Sequence, residues 1–273
     1  MIRNEIVNFF SNLALRHIGI VIGKEKAYLI ESRLDELSKS LGLNNIEELY
    51  KKAKSNLTNE LLNKLIDALT TNETYFFRDK IQFEALKKYV IPELIQNNSS
   101  KKSLRIWSCA CSTGQEPYSI ALLINEYFPE LLKWRLEIIG SDISKKVIEY
   151  AKKGEFSQIE VNRGLPARML AKYFTQKGNK WVLDSRIRKM VRFVQINLKD
   201  SFIHLGKFDI IFCRYVLIYF SDELKKDILQ RLEKSLNPGG YLFLGGSEIL
   251  PPFFKGSIRR KELGGCICYQ LPR

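Results

Sequence analysis

Apolar residues in the first seventy positions recur at helical spacing. Ala27, Ile30, Leu34, Leu37 and Leu41 step by alternating threes and fours, which makes one buried stripe, and Gly42 supplies a stop. Leu61, Leu62, Leu65, Ile66 and Leu69 form a second stripe, with Thr58 or Asn59 as its cap. No segment here alternates with a period of two, so a small helical bundle is predicted over residues 1–70. Another helix is expected over 80–95, followed by the polar run QNNSSKKS (96–103) as a loop. The pattern then changes. Strands are predicted at 104–108, 136–141, 191–196, 208–213, 241–245 and 266–271, alternating with helices at 116–127, 145–153 and 221–236. LNPGG (236–240) reads as a plain turn. Such alternation specifies an α/β fold with a mostly parallel, helix-wrapped sheet, here spanning residues 71–273.

One stretch interrupts the alternation. Residues 165–174 are helical in pattern, GNK (178–180) is a turn, WVLD (181–184) is strand-like, and RIRKMVRFVQ follows. This predicts a small β-rich lobe, about 155–193, inserted between two strands of the main sheet. Charge singles out the same stretch. The chain carries a formal net charge of +14, and residues 151–200 contribute +8 of it from 12 basic and 4 acidic groups. The apolar run 210–220 is broken by Arg214 and is shorter than the roughly 20 residues a bilayer span needs. The first twenty residues carry Arg3, Arg16 and His17 without an unbroken apolar core, so a cytoplasmic chain is expected. Five cysteines in C-x-C pairs plus one single, with only two histidines, suit neither a disulfide framework nor a metal site. Reduced, buried thiols are expected.

In an open parallel sheet, ligands bind beyond the carboxyl ends of the strands. After the first strand, WSCACSTGQEPYS (107–119) offers small residues and a helix start, where free N–H groups suit an anion. It lacks the G-x-G-x-x-G dinucleotide fingerprint. Asp142 closes the second strand, where a carboxylate can accept both ribose hydroxyls or serve with Ser144 in capping the next helix. Asn197 and Leu198 follow the third strand, and Arg214 and Tyr215 the fourth. NETYFFRD (72–79) is dense in function-capable groups, although Asn72 or Thr74 could cap a helix and Phe76 and Phe77 could be core.

Taken in order, NETYFFRD, RIWSCACSTGQEPYSIAL, SDIS and FDIIFCRYVLIYF resemble the CheR-type chemotaxis receptor methyltransferases, from about residue 15 to the C-terminus. The resemblance implies a Rossmann-like methyltransferase domain with an N-terminal helical domain and a small inserted β-subdomain. It implies transfer of a methyl group from S-adenosylmethionine to glutamate side chains of membrane chemoreceptors, leaving S-adenosylhomocysteine and γ-methyl esters. Cofactor contacts would fall on Asn72, Thr74, Arg78, Glu116, Asp142, Asn197, Leu198, Arg214 and Tyr215, with no metal. Asp142 would hold the ribose, Asn197 and Leu198 the adenine edge, and Glu116 the amino-acid end or ribose. Arg78 and Tyr219 would stand beside the sulfonium and the incoming carboxylate. The partner would be the cytoplasmic portion of a chemoreceptor, met by a monomer through the basic β-subdomain and the helical domain, with neither nucleic acid nor membrane insertion.

This chain departs from the family at Tyr215, where Asn is common, and at Cys109 and Cys111, where Ala or Gly is usual. Its second helix balances Lys24, Lys26, Arg33 and Lys39 with Glu25, Glu31, Asp35 and Glu36, so it lacks the basic face of relatives. Two other readings stand beside this one. A nucleic-acid methyltransferase would suit the charge, but no N/D-P-P-Y-type tetrapeptide follows the strand ending at Cys213. A cofactor-binding scaffold that no longer transfers methyl would keep the same fold. In the inserted lobe, Arg186, Arg188, Lys189 and Arg192 are expected to form a docking face for an acidic receptor segment.

Overall fold

The computed structural model describes residues 4–23 and 26–273; Arg3, Lys24 and Glu25 lie outside them. Four helices, α1 (Asn4–Ile18), α2 (Ala27–Ser40), α3 (Ile46–Ser55) and α4 (Asn59–Leu69), bundle around Ile6, Phe10, Ile30, Leu34, Leu49 and Leu65. The cap of α4 is Thr58, whose hydroxyl accepts from Leu61 N. Arg33 closes the other end, donating to the carbonyls of Leu69 and Thr70, and Lys39 pairs with Asp35 at 2.7 Å.

Residues 80–97 stay helical throughout. α5 (Lys80–Ala85) passes into α6 (Ile91–Asn97) through a π turn over Leu86–Val90, just ahead of Pro92, which has no N–H to continue the regular ladder. The strands are β1 (Ser103–Cys109), β2 (Arg135–Asp142), β3 (Glu155–Ser157), β4 (Phe174–Lys177), β5 (Lys180–Leu183), β6 (Val191–Gln195), β7 (Phe208–Cys213), β8 (Leu236–Phe243), β9 (Arg259–Leu263) and β10 (Cys266–Gln270). Seven form one sheet in the order β6-β2-β1-β7-β8-β10-β9. The first five are mutually parallel and β10 is antiparallel to both neighbours. Strand order reverses between β1 and β7, which places the ligand crevice at their carboxyl ends. Helices α7 (Gln115–Tyr127), α8 (Lys145–Lys153) and, later in the chain, residues 222–234 follow β1, β2 and β7. Large apolar clusters lie on both faces of the sheet, one centred on Phe212 and Phe243, the other on Trp107 and Phe208.

Two parts of this sheet differ from expectation. LNPGG is not a plain turn: it opens β8, with Leu236 opposite Phe208, then a register shift before Tyr241 meets Ile210. The shift needs close backbone approach, because a Cβ on Gly240 would lie 2.8 Å from the Asn237 carbonyl. β9 has no alternating apolar signal because it is an edge strand of exposed charges, joined to β10 through the left-handed pair Gly264 and Gly265.

The inserted stretch forms a separate antiparallel sheet, β3-β5-β4, before the chain re-enters the main sheet at Val191. Phe156 and Phe174 from this small sheet pack edge-on against Phe76. Gly164 (φ +86°) completes the junction, since a Cβ there would overlap the Phe76 carbonyl oxygen. The inserted stretch is thereby locked to the NETYFFRD loop.

Candidate active site

At the end of β1 the backbone takes left-handed conformations at Ala110, Ser112 and Gly114, and Cys111 N donates to the Ser141 carbonyl at 2.8 Å. Small side chains tolerate this tight path and leave Ala110, Cys111 and Ser112 facing open space. Asp142 lies opposite at the end of β2, 5% exposed. Its Oδ2 accepts from Ser112 N at 2.9 Å and its Oδ1 from Ser144 N at 2.9 Å. Burial pushes its pKa above the usual carboxylate range, against the backbone N–H groups of Ser144, Ser112 and Ile143, which act to lower it. The helix cap itself is Ser144, which accepts from Val147 N and donates to Asp67 from α4 at 2.6 Å.

A buried ionic chain runs beneath the opening. Ser108 donates to Glu116 Oε1 at 2.7 Å, and Arg214 Nη1 donates to Glu116 Oε2 at 2.6 Å. Arg214 Nη2 donates to Asp79 Oδ2 at 2.6 Å and to the Arg78 carbonyl at 2.8 Å, and the Arg214 side chain is 2% exposed. Burial acts to raise the Asp79 pKa, but the Tyr215 hydroxyl and Arg214 outweigh it and hold this carboxyl below its ordinary value. A fixed floor of hydrogen-bonded ion pairs results.

The rim carries more exposed groups. Arg78 donates from Nη1 to the Glu73 carbonyl at 3.0 Å, and its guanidinium carbon sits 3.8 Å from the centre of the Tyr215 ring. Arg163 of the inserted stretch pairs with Glu73 at 2.6 Å and lies over Tyr75. Tyr219 lines the opening, its hydroxyl without a hydrogen-bond partner among the described residues. The helical bundle supplies the far wall. Ile20 bridges Phe220, Val21 N donates to the Tyr219 carbonyl at 2.8 Å, and Asn197 Nδ2 donates to the His17 carbonyl at 2.8 Å.

Asn72, Thr74, Arg78, Glu116, Asp142, Asn197, Leu198, Arg214, Tyr215 and Tyr219 all line this one cleft of about 890 Å³, open mouth included. Neither Asn72 nor Thr74 caps a helix, and Phe76 and Phe77 are buried. Two side chains are committed internally: Asn197 holds His17 O and accepts from Lys199 N, and Arg214 holds Glu116 and Asp79. Sequence reasoning missed Asp79 and Glu248, whose carboxylates hold Tyr215 and Arg214 in place, and the wall residues Ile18 and Ile20. Arg214 itself was a usable signal, because one cation inside an apolar run demands acidic partners.

The five cysteines are free and buried, and burial raises the pKa of Cys109, Cys111, Cys266 (to about 11) and Cys268 (to about 12), which disfavours the reactive thiolate. Three of the four cations expected to form a docking face have partners within the chain. Arg186 pairs with Asp184, Arg192 on β6 pairs with Glu137, and Arg188 folds back onto the Lys153 carbonyl, leaving Lys189 unpaired among the described residues. Two nearby acids pair with Arg186 and Arg192, and a carbonyl accepts from Arg188, in what the charge count alone presented as a free patch.

The cleft fits a nucleoside-linked amino acid. A desolvated carboxylate has about four acceptor positions, and Asp142 retains room for hydroxyl donors beyond its backbone partners. Ile143, Ile196, Leu198 and Val216 offer apolar walls for a flat base. Comparison with known proteins agrees. Residues 7–70 match the CheR methyltransferase all-alpha domain and residues 72–260 the CheR methyltransferase SAM binding domain. The chain is 46% identical over 236 residues to chemotaxis protein methyltransferase Cher2 of Pseudomonas putida, covering 85% of this chain and 86% of that protein. It is 40% identical over 245 residues to the chemotaxis protein methyltransferase of Vibrio parahaemolyticus, 88% of each chain. The Borreliella burgdorferi chemotaxis protein methyltransferase is 35% identical over 243 residues, 87% of this chain and 86% of that one. With a Rossmann-like sheet, a crevice at its switch point and matches to both domains, the chain belongs to the CheR family of S-adenosylmethionine-dependent chemotaxis methyltransferases.

Proposed function

We propose that the methyl acceptor is the side-chain carboxylate of glutamate on the cytoplasmic portion of a chemoreceptor, giving a γ-methyl ester. The observation that carries this reading is the pairing of a cation, Arg78, with a free hydroxyl, Tyr219, at a cleft that neither histidine lines. When bound, S-adenosylmethionine supplies a methyl carbon on a sulfonium that a carboxylate oxygen can displace, the C–S electron pair leaving with sulfur. A glutamate, with an ordinary pKa of about 4.3, is already ionised at neutral pH and needs no general base. An amine would need one and would be repelled by Arg78. Arg78 attracts and orients the carboxylate, and Tyr219 can donate to its second oxygen. Alignment then carries catalysis, an effect worth roughly 7–11 kcal/mol in favourable cases.

Asp142, Glu116 and the backbone at residues 197–198 would hold the cofactor. Replacing Asp142 by alanine is expected to weaken S-adenosylhomocysteine binding by about tenfold or more, since a hydrogen bond to a charged group contributes about 1.5–3 kcal/mol. Titration calorimetry measures this. Because the folded-state pKa of Asp142 is raised, the ligand-free protein binds the extra proton, so its stability falls as pH rises from the ordinary carboxylate value through the raised one. Hydroxyl donors favour the ionised form, so affinity for S-adenosylhomocysteine rises over the same window. Both slopes should vanish in Asp142→Ala.

Receptor contact in this reading falls on the inserted stretch, where Lys177 and Lys189 are exposed and unpaired among the described residues, and on the helical bundle. A monomer working in the cytoplasm is consistent with five free thiols. No helix of the described residues is long and apolar enough to cross a membrane. The test supplies methyl-labelled cofactor with receptor cytoplasmic fragments. Base-labile label released as methanol supports the reading, and base-stable label, or label entering RNA or DNA, overturns it.

A further inference from the structure

Tyr215 occupies a backbone position that does not suit it. Its φ of +56° lies in the left-handed region, which costs a bulky residue energy and which Asn tolerates better. Several contacts hold it there. Its N–H donates to Glu248 Oε2 at 2.7 Å, the same oxygen that accepts from Gly245 N at 2.7 Å. Its hydroxyl donates to Asp79 Oδ2 at 2.5 Å. The space for its ring comes from glycine, because a Cβ on Gly245 would stand 2.8 Å from the ring, and Gly246 N lies 3.2 Å from the hydroxyl oxygen. The strained backbone thus brings the aromatic ring closest to the Arg78 guanidinium, 3.8 Å from the ring centre, with the guanidinium of Arg214 farther off at 5.5 Å.

Arg78 has little else to fix it. Among the described residues its side chain makes one hydrogen bond, from Nη1 to the Glu73 carbonyl, and Tyr75 is farther away at 5.5 Å from ring centre to guanidinium carbon. The Tyr215 ring at 3.8 Å is well inside the roughly 6 Å reach of a cation–π contact. We propose that Tyr215 is a positioning residue, whose ring sets the plane of Arg78 so that its remaining N–H groups meet the substrate carboxylate. The inference rests on the reading of Arg78 as the carboxylate-orienting group. The hydroxyl, bound to Asp79, orients the ring, and Glu248 anchors its backbone. Tyr215 acts on the reaction through Arg78.

Two variants separate ring from backbone. Tyr215→Asn satisfies the left-handed backbone and removes the ring; Tyr215→Phe keeps the ring and removes the hydroxyl. Expected is a fall in kcat of about tenfold for Tyr215→Asn, and of no more than about threefold for Tyr215→Phe, in line with the modest strength of a partly exposed cation–π contact. Affinity for S-adenosylhomocysteine and melting temperature should change little in either. In the cofactor-free protein, the Arg78 Nε–H resonance should show an upfield ring-current shift that persists in Tyr215→Phe and disappears in Tyr215→Asn. In an Arg78→Ala background, Tyr215→Asn should cost less than about twofold more, because two residues acting through one contact are non-additive. Native kcat in Tyr215→Asn, an unshifted Arg78 resonance, or full additivity overturns the inference while leaving Arg78 in its role. Native turnover in Arg78→Ala overturns the underlying reading instead.

Discussion

Replacing Arg214 by alanine is expected to lower the unfolding free energy by about 3–5 kcal/mol, the cost of stranding buried charge. The guanidinium is nearly inaccessible and pairs at 2.6 Å with both Glu116 and Asp79. Its removal leaves two carboxylates in a low-dielectric floor with only neutral partners. Lysine should not rescue the fold, because a single ammonium cannot span two acids held by separate guanidinium nitrogens. Sign and pH dependence follow from the same charges. Arg214 helps hold the Asp79 carboxyl below its ordinary value, so without it the folded-state pKa of Asp79 rises and the variant's deficit grows as pH increases from about 5 to 8, through the range where the unfolded acid is already ionised. Urea unfolding at those two pH values measures it, and a deficit below about 1 kcal/mol, the value of an exposed pair, would show the triad to be incidental.

Turnover, not folding, is what Arg78→Ala should remove. The side chain makes one hydrogen bond and is partly exposed, so its loss should leave the melting temperature near native. At saturating cofactor and receptor the rate is expected to fall about a hundredfold, the scale associated with a small misplacement of reacting groups. The affinity for S-adenosylhomocysteine should change less than tenfold, since Asp142 and the apolar walls are untouched. The ratio of these two effects is the diagnostic quantity. A large loss of cofactor affinity with native turnover at saturation would make Arg78 a binding group and remove it from carboxylate orientation.

Much of this site was legible in sequence because its parts follow strand ends. Asp142 was placed by the rule that ligands meet the carboxyl ends of parallel strands, whereas Glu116 came only from the resemblance to the family. What could not be read was how side chains divide their hydrogen bonds. Asn197 looks free in sequence, yet it is taken by the carbonyl of His17, a partner 180 residues away. Asp79 adjoins Arg78 in the same motif, but its use as the counter-ion of Arg214 depends on a contact across 135 positions. In the sheet, LNPGG has the composition of a turn. Its conversion to strand follows from Asn237 reaching Asp209 and from backbone approach at Gly240, both tertiary facts. Charge was misleading for a related reason: composition counts Arg186 and Arg192 but does not reveal Asp184 and Glu137 beside them.

The seam where residues 16–21 meet residues 197–199 and 219–220 bears on how such proteins can be recombined. Arg16 and His17 offer their carbonyls to Lys199 and Asn197, and Ile20 adds a bridge to Phe220. The helical bundle is therefore not an interchangeable recognition head on a self-sufficient catalytic unit, because the boundary between the two runs through the wall of the cofactor cleft. A chimera that exchanged the bundle to redirect receptor choice would need to carry these matching surfaces together. Otherwise it would change cofactor affinity along with its target.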